Sequence, residues 1–416
     1  MKNNGQDEHE LIAAISGGPL VRESRFPCRN VMGKSAFNCV KRVFEYYWEK
    51  GQDIPYQAHF EDIYCEQFAA FYGGGYADAV NSGSVAVYLA VQALALPKHS
   101  KVLISPVTDP GSVSAVLLAG HTVVIADSAP GSFNASPDSI EDSLDKHPDI
   151  KAALLTHVGG LPLDLPAISA LLKIHNIPLI EDCSQIHGGK IGDQKVGTFG
   201  RMSVFSTMYT KNQTTGSTGG VVLCKEKSDY WLVRSLADRR KPFDHDDFNP
   251  RDPGAFLGAG LNFNANEIAC ALGSQSLAKL PAVIEQRQQQ VDYINRFLET
   301  LESVTPVQPL AGSLPSYFFH NVVFNDNWTD HQVNVFKTAL EAEKTSVNAN
   351  YLYVVSEWNW LRSQYGIAVD TPNATRHRAR SLNILFHEKY TNRDLDDICL
   401  ALKRAEHYTL HSANIE

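Results

Sequence analysis

No dense lysine or arginine tract, no C-x-x-C pair and no long apolar run occurs in this chain of 416 residues. Each absence excludes something. With a formal net charge of −9, the missing basic tract argues against a nucleic-acid or anionic-membrane partner. Without about 18 consecutive apolar residues, nothing is expected to span a bilayer. The seven cysteines are scattered and odd in number. A metal site or a disulfide framework is therefore not expected, and reduced thiols in a cytoplasm are. The opening MKNNGQDEHELIAAISGG is acidic and lacks the apolar core of a secretory signal. Internal repeats and low-complexity segments are also missing.

What remains is an ordinary globular composition, 44% hydrophobic and 20% charged, with a length that suggests roughly two to three domains. From 76 to 225, short β-branched runs alternate with amphipathic ones. Strands are expected at YADAVNS (76–82), KVLISP (101–106), HTVVIAD (121–127), KAALLTH (151–157), IPLIED (177–182), MSVFS (202–206) and GGVVLC (219–224). Helical patterns lie between them: SVAVYLAVQALAL, SVSAVLLAG, SPDSIEDSLDKH and LPAISALLKIHN. Ser136 ahead of Pro137 and Asp164 ahead of Pro166 suit N-caps with proline in the first turn. Strands separated by helices predict an α/β fold with a mostly parallel seven-stranded sheet covered on both faces. The last two strands lack a helix between them and are expected to be antiparallel.

Beyond the sheet, 277–305 reads as a long helix broken near Pro281. A strand at PSYFFHNVVF, a helix near HQVNVFKTALEAEK and a C-terminal helix from Asn392 to Tyr408 follow. These suggest a large domain over 56–280 and a smaller C-terminal α+β domain over 281–416. Residues 1–55 show no clear period and are expected to pack on both.

The stretch from Ile180 to Gly220 carries the chemistry. Asp182 ends an apolar strand, and Lys211 follows a second apolar strand in a small-residue loop. Pyridoxal phosphate chemistry needs this pair. A carboxylate keeps the pyridine nitrogen protonated, so that the ring is an electron sink, and a lysine carries the cofactor as a Schiff base. Lys190 and Lys195 flank a Gly192-Asp193 hairpin turn and should face solvent. Lys211 leads out of the core, where desolvation lowers an amine's pKa. Asn81-Ser82-Gly83-Ser84, at a strand–helix junction, suits a phosphate cradle: free N–H groups, close approach at Gly83 and the Ser84 hydroxyl. Ser206 adds a second hydroxyl, and Gln185 an amide for the ring's phenolic oxygen. Cys183, between Asp182 and Ser184, has no evident histidine or asparagine partner and reads as a buried thiol.

Together these segments resemble the DegT/StrS family of PLP-dependent (nucleotide-)sugar aminotransferases, of the aspartate-aminotransferase fold type I. The likeness runs from about Phe60 to the C-terminus. It rests on FEDIYCEQFAAFYGGGYADAVNSGSVAVYLAVQAL, on IEDCSQIHGG…VGTFGRMSVFSTMYTKN and on GAGLNFNANEIACALGSQSLAKL. The resemblance implies a Lys211 internal aldimine, Asp182 at the pyridine nitrogen, Gln185 at the phenolic oxygen and Ser206 at the phosphate. It also implies a homodimer with shared active sites, Asn262 reaching the partner's phosphate. The reaction implied is transfer of an amino group from an amino acid, L-glutamate or glutamine, to a keto- or aldehydo-sugar. Sugar dehydration, other PLP chemistry on the same fold and a non-catalytic regulatory paralogue are the alternatives.

The family's stacking aromatic is replaced in SPVTDPGSV by Asp109, whose oxygens are expected to contact the cofactor or an amine. The arginine after the asparagine is Asn264, and the family's His-Gly is Arg239-Arg240. Members that carry histidine for the lysine are sugar dehydratases, and Lys211 argues against that branch. NANYLYVVSEWNWL resembles the branch acting on an eight-carbon ketosugar acid. Its Tyr351, Tyr353, Trp358 and Trp360 could line a sugar pocket or pack in the core. TRHRARS (375–381) could bind an anion or form a solvated helix face.

Overall fold

The computed structural model describes residues 11–245 and 247–412. Helices α1 (Lys34–Glu49) and α2 (His59–Phe71) precede the main sheet. Then come β1 (Tyr76–Val80), α3 (Gly83–Ala93), β2 (Lys101–Ile104), α4 (Pro110–Leu118), β3 (Thr122–Ile125), α5 (Pro137–Lys146) and β4 (Ile150–Thr156). Next are α6 (Leu165–Ile174), β5 (Leu179–Asp182), the hairpin β6 (Lys190–Ile191) and β7 (Gln194–Lys195), β8 (Met202–Ser206), β9 (Gly220–Cys224) and α7 (Lys227–Ala237). All seven main strands fall within or beside the segments read from the sequence. Ser136 and Asp164 do cap their helices, accepting from Ser139 N at 3.2 Å and Ala167 N at 3.2 Å.

The sheet order is β1-β9-β8-β5-β4-β2-β3. Strand β9 is antiparallel to both its neighbours, and the other pairings are parallel. Alternation along the strands makes both faces apolar. Leu103, Ala153, Leu155, Leu179 and Phe205 belong to one core layer, and Ile104, Leu154, Ile180 and Val204 to the other. A parallel sheet buried on both sides needs this near-continuous apolar sequence. The loops at the carboxyl ends of β1, β2, β4, β5 and β8 gather at one edge, the usual place for a site in such sheets.

After α7, the chain forms α8 (Glu267–Leu298), β10 (Val304–Pro306), β11 (Ser313–Leu314), β12 (His320–Phe324), α9 (Asp330–Ala342), β13 (Val347–Asn348), α10 (Asn359–Tyr365), α11 (Pro372–Ala379), β14 (Ser381–Ile384) and α12 (Asn392–Ser412). Strands β10-β12-β14-β13 make a separate antiparallel sheet. Its core includes Val322, Phe336, Leu382 and Ile398.

Two details depart from the sequence reading. The helix expected to break near Pro281 is continuous for 32 residues and starts at Glu267. An interior proline costs about 3 kcal/mol. Here burial on both sides of it offsets that cost: Leu277, Leu280 and Ile284 pack with the main core, and Val291, Ile294 and Leu298 with the second. The other departure is α1, hidden in a segment without visible period. Its inner face is Ala36, Cys39, Val43 and Tyr47, but Phe37, Phe44 and Trp48 are exposed. The helix is itself amphipathic, its buried residues recurring at three- and four-residue spacing, but it stands in a stretch whose flanking residues form no long helix or strand.

Candidate active site

Asp182 is the last residue of β5, beside Thr156 of β4 and Val204 of β8 in register. It is 2% exposed. Its Oδ2 accepts the Ser112 hydroxyl at 2.8 Å and the Thr156 hydroxyl at 3.4 Å, and Oδ1 accepts Ser184 N at 3.1 Å. The carboxylate is thus fixed by neutral donors, and no salt bridge reaches it among the described residues. It faces a cavity of about 400 Å³.

Lys211 lines the same cavity. Its amine rests over the Phe318 ring, 4.3 Å from the centroid. Burial lowers the amine's pKa, while Asp182 and Asp109 oppose that effect. Lysine is a compact charge whose protonation responds strongly to such burial.

Gly83 and Ser84 supply the first backbone N–H groups of α3, which have no partner within the helix. Ser82 caps the same turn, accepting Val85 N at 3.2 Å. A Cβ on Gly83 would stand 2.5 Å from Ser206 Cβ, so glycine alone lets the turn and the end of β8 meet. The hydroxyls of Ser84, Ser206 and Thr218 line this corner. Free N–H groups, three hydroxyls and a helix N-terminus suit a phosphate dianion. Asp182 suits a protonated ring nitrogen, and Lys211 an aldehyde. As a donor and acceptor set, the cavity fits a phosphorylated pyridine aldehyde.

Gln185 lines the cavity as well. Its Oε1 accepts Gly159 N at 2.8 Å, and its side chain bonds the Tyr351 hydroxyl. Asp109 sits at the rim, exposed, with Oδ1 accepting Gly111 N at 2.8 Å as the N-cap of α4. The aspartate there serves as a helix N-cap. Asn262 lies outside this cavity: its side chain is exposed and its Oδ1 accepts from Asn264 N and Nδ2 at 3.1 and 2.8 Å. Residue by residue, seven of the eight positions picked from sequence converge in one chain, and Asn262 does not.

The aromatic cluster divides. Tyr351 and Tyr353 line the cavity, brought there because 353–355 runs beside 106–108, with Thr108 N donating to Tyr353 O at 3.2 Å and Val355 N to Pro106 O at 2.9 Å. Trp358 and Trp360 instead pack on the core layer that holds Val355 and Leu361. In TRHRARS, Arg378 pairs with Glu357 and Arg380 with Asp330. Arg376 borders a larger groove, of about 1100 Å³, that contains none of the eight positions picked from the sequence. Volume favours that groove, but the chemistry selects the smaller cavity.

Cys183 is fully buried, and burial pushes its thiol pKa up, which removes it as a nucleophile. It lies near His157 and Glu181. Glu181 is committed elsewhere, accepting Gly197, Phe199 and Gly200 N–H groups at 2.7, 2.7 and 2.6 Å. The sequence reading missed Ser112, Thr156, Ser184 and Phe318. Ser112 sits within the SPVTDPGSV stretch already noticed, but Phe318 comes from the distant PSYFFHN segment and carries no local signal.

Residues 38–403 match the DegT/DnrJ/EryC1/StrS aminotransferase family. The chain belongs to that family. Among relatives, it is similar to an L-glutamine:2-deoxy-scyllo-inosose aminotransferase of Micromonospora echinospora, 28% identical over 51% of this chain and 50% of that one. It is also similar to the GDP-perosamine synthase of Escherichia coli O157:H7, 30% identical over 55% of this chain and 60% of that one. The chain therefore spans about half the length of the first relative and 60% of the second. The solved structure of Helicobacter pylori PseC, an aminotransferase involved in the biosynthesis of pseudoaminic acid, superposes with a TM-score of 0.81 over 92% of this chain and 98% of that one. At 18% identity, that likeness establishes the fold, as expected for a DegT/StrS aminotransferase. No helix among the described residues is long and apolar enough to cross a membrane.

Proposed function

We propose that this DegT/StrS-family chain is a pyridoxal-phosphate-dependent aminotransferase that moves an amino group from an amino acid, L-glutamate or glutamine, to a keto- or aldehydo-sugar. One observation carries the reading: Asp182 and Lys211 share a cavity with the Gly83–Ser84–Ser206 phosphate corner. Gly83, Ser84 and Ser206 would hold the phosphate, Asp182 the ring nitrogen, and Gln185 the phenolic oxygen. When bound, the cofactor supplies an aldehyde that condenses with amines and a ring that accepts the electron pair left by a departing proton. Lys211 Nζ is the one lysine amine lining the cavity among the described residues. With its pKa depressed by burial, it takes the proton from the donor's α-carbon and returns one to the acceptor carbon. Asp182 would face a protonated ring nitrogen, the preorganised electrostatic arrangement that lowers such barriers. Phe318, Tyr351 and Tyr353 line the cavity and give it part of its apolar surface. Asp109, at the rim, would contact the donor's amine or the cofactor.

The sugar amination named in the relatives supports the acceptor class. A homodimer in which Asn262 reaches the partner's phosphate agrees with that residue's exposure outside its own chain's cavity. A cytoplasmic setting agrees with seven free cysteines, Cys28 alone exposed. We place the domain boundary near residue 280, within α8, which both units would share.

Incubation with L-glutamate or L-glutamine, pyridoxal phosphate and a panel of nucleotide-linked and acidic ketosugars tests the proposal. Formation of the donor's 2-oxo acid with an aminated sugar is expected. A deoxygenated sugar without that oxo acid would assign the chain to dehydration, and no turnover of either donor would favour a regulatory paralogue.

A further inference from the structure

Lys211 lies in an irregular loop between β8 and β9, so its aim depends on what holds the loop. Part of the support is local: Lys211 N donates to Met208 O at 2.9 Å, and Asn212 Nδ2 to Ser316 Oγ at 3.0 Å and to Tyr317 O at 3.2 Å. The rest comes from far away in sequence. Arg29, in the segment before α1, donates from Nη1 to the carbonyl of Lys211 itself and from Nη2 to that of Asn212 at 3.0 Å. Lys211 and Asn212 are both buried, so without Arg29 these carbonyls would lose a partner and water could replace it poorly.

The Arg29 guanidinium is held in turn. Its Nε pairs with Glu388 at 2.9 Å, and both groups are about nine-tenths buried at the side chain. Glu388 also pairs with Arg287 of α8 at 3.1 Å. Arg287 is 2% exposed, and its Nη1 donates to Tyr317 O at 3.0 Å. Tyr317 precedes Phe318, whose ring lies under the Lys211 amine. One carboxylate thus orients two guanidiniums. One fixes the backbone of Lys211, and the other fixes the backbone beside the ring that its amine rests on.

We propose that Arg29, oriented by Glu388 and paired through it with Arg287, is a positioning residue that aims the Lys211 amine into the cavity. Geometry explains why arginine stands there. A planar fork spans two carbonyls and a carboxylate at once, whereas an ammonium reaches fewer of them in that arrangement. The segment carrying Arg29 is docked independently by Arg22 on Asp394 at 2.6 Å and on Asp397 at 3.3 Å, and by Arg404 on Pro19 O at 2.7 Å. Docking of the segment and aiming of the lysine are therefore separable.

The proposal rests on Lys211 being the reacting amine, and its test avoids turnover. Competitive acylation of the full-length, cofactor-free chain, read at the Lys211 peptide by mass spectrometry, gives the pH midpoint of that amine. Asp182, Asp109 and His187 share its electrostatic surroundings, and all are kept in the variants. Arg29→Ala should move the midpoint up by roughly one pH unit, toward an ordinary lysine, as the amine drifts out of its buried place. Arg29→Lys, which keeps the charge opposite Glu388 and so protects folding, should move it part of the way. Arg22→Ala should leave it in place. In the cofactor-loaded enzyme, Arg29→Ala should lower kcat about 10- to 100-fold with KM little changed. An unmoved midpoint in Arg29→Lys and in folded Arg29→Ala overturns the proposal, as does an equal shift in Arg22→Ala. Failure of the wild-type chain to capture pyridoxal phosphate would instead strike the functional reading and leave this labelling result standing.

Discussion

Asp182 and Asp78 are each 2% exposed, and both are carried by strands of the main sheet, yet their surroundings differ in kind. Asp78 of β1 faces Arg234 at 3.3 Å, with Glu61 of α2 on the same guanidinium at 3.9 Å. Burial raises the pKa of Asp78 to about 6 and that of Glu61 to about 8, against the pull of Arg234. This cluster ties α2, β1 and α7 together and borders no part of the candidate cavity. Among the described residues, Asp182 has only hydroxyls and one N–H for partners, and it faces the cavity. One arrangement spends the carboxylate on a resident cation. The other keeps it fixed and leaves room for a cation yet to arrive. A buried carboxylate at the carboxyl end of a parallel strand, held by neutral donors, is therefore the stronger sign of a site.

The sharpest break of this comparison is Asp182→Asn. It should lower the proton-transfer rate about 10²- to 10³-fold in single-turnover measurements, while cofactor binding partly survives. A rate within threefold of wild type would place Asp182 with Asp78 as a structural group. Next in size is Gly83→Ala. The added methyl meets Ser206 Cβ at 2.5 Å, so the phosphate corner must open. Retention of pyridoxal phosphate in equilibrium dialysis should fall about 10- to 100-fold, as for overpacking of 1–3 kcal/mol.

On the other side, Glu61→Gln tests the ion cluster through pH. A carboxyl whose folded pKa is raised binds its proton more tightly in the folded chain. Its contribution is then full below the ordinary carboxylate range and is lost as pH climbs toward 8. From pH 5 to 8 the melting temperature of wild type should therefore fall relative to that of Glu61→Gln by about 2 °C. An unchanged slope would mean that Glu61 titrates normally. The smallest effect belongs to Asp109→Ala, which removes the N-cap of α4 and should cost about 1 kcal/mol in chemical denaturation. A larger loss in cofactor retention than in stability would show that Asp109 acts on the ligand as well.

The Asp182 side of this contrast is legible in the sequence, whereas the Asp78 cluster is not. Asp182, Gln185, Ser206 and Lys211 sit at fixed offsets from apolar strands, and strand ends in a parallel sheet gather at one edge. Local pattern and topology agree there, so the convergence follows. What escaped was non-local or ambiguous. Arg29 lies 182 residues from Lys211, in a segment without periodicity. Phe318 carries no motif. Pro281 misled because tertiary packing on both sides outweighs a local helix-breaking preference. Asp109 was expected at the cofactor, and its first partner is its own helix. Asn262 could not be judged within one chain, because its expected target belongs to another.

Borohydride reduction of the protein loaded with pyridoxal phosphate, followed by peptide mapping, tests the central claim most directly. A pyridoxyl group on Lys211 alone is the predicted result. Label on Lys190 or Lys195 in its place, or equal label on a Lys211→Ala chain, would contradict the account.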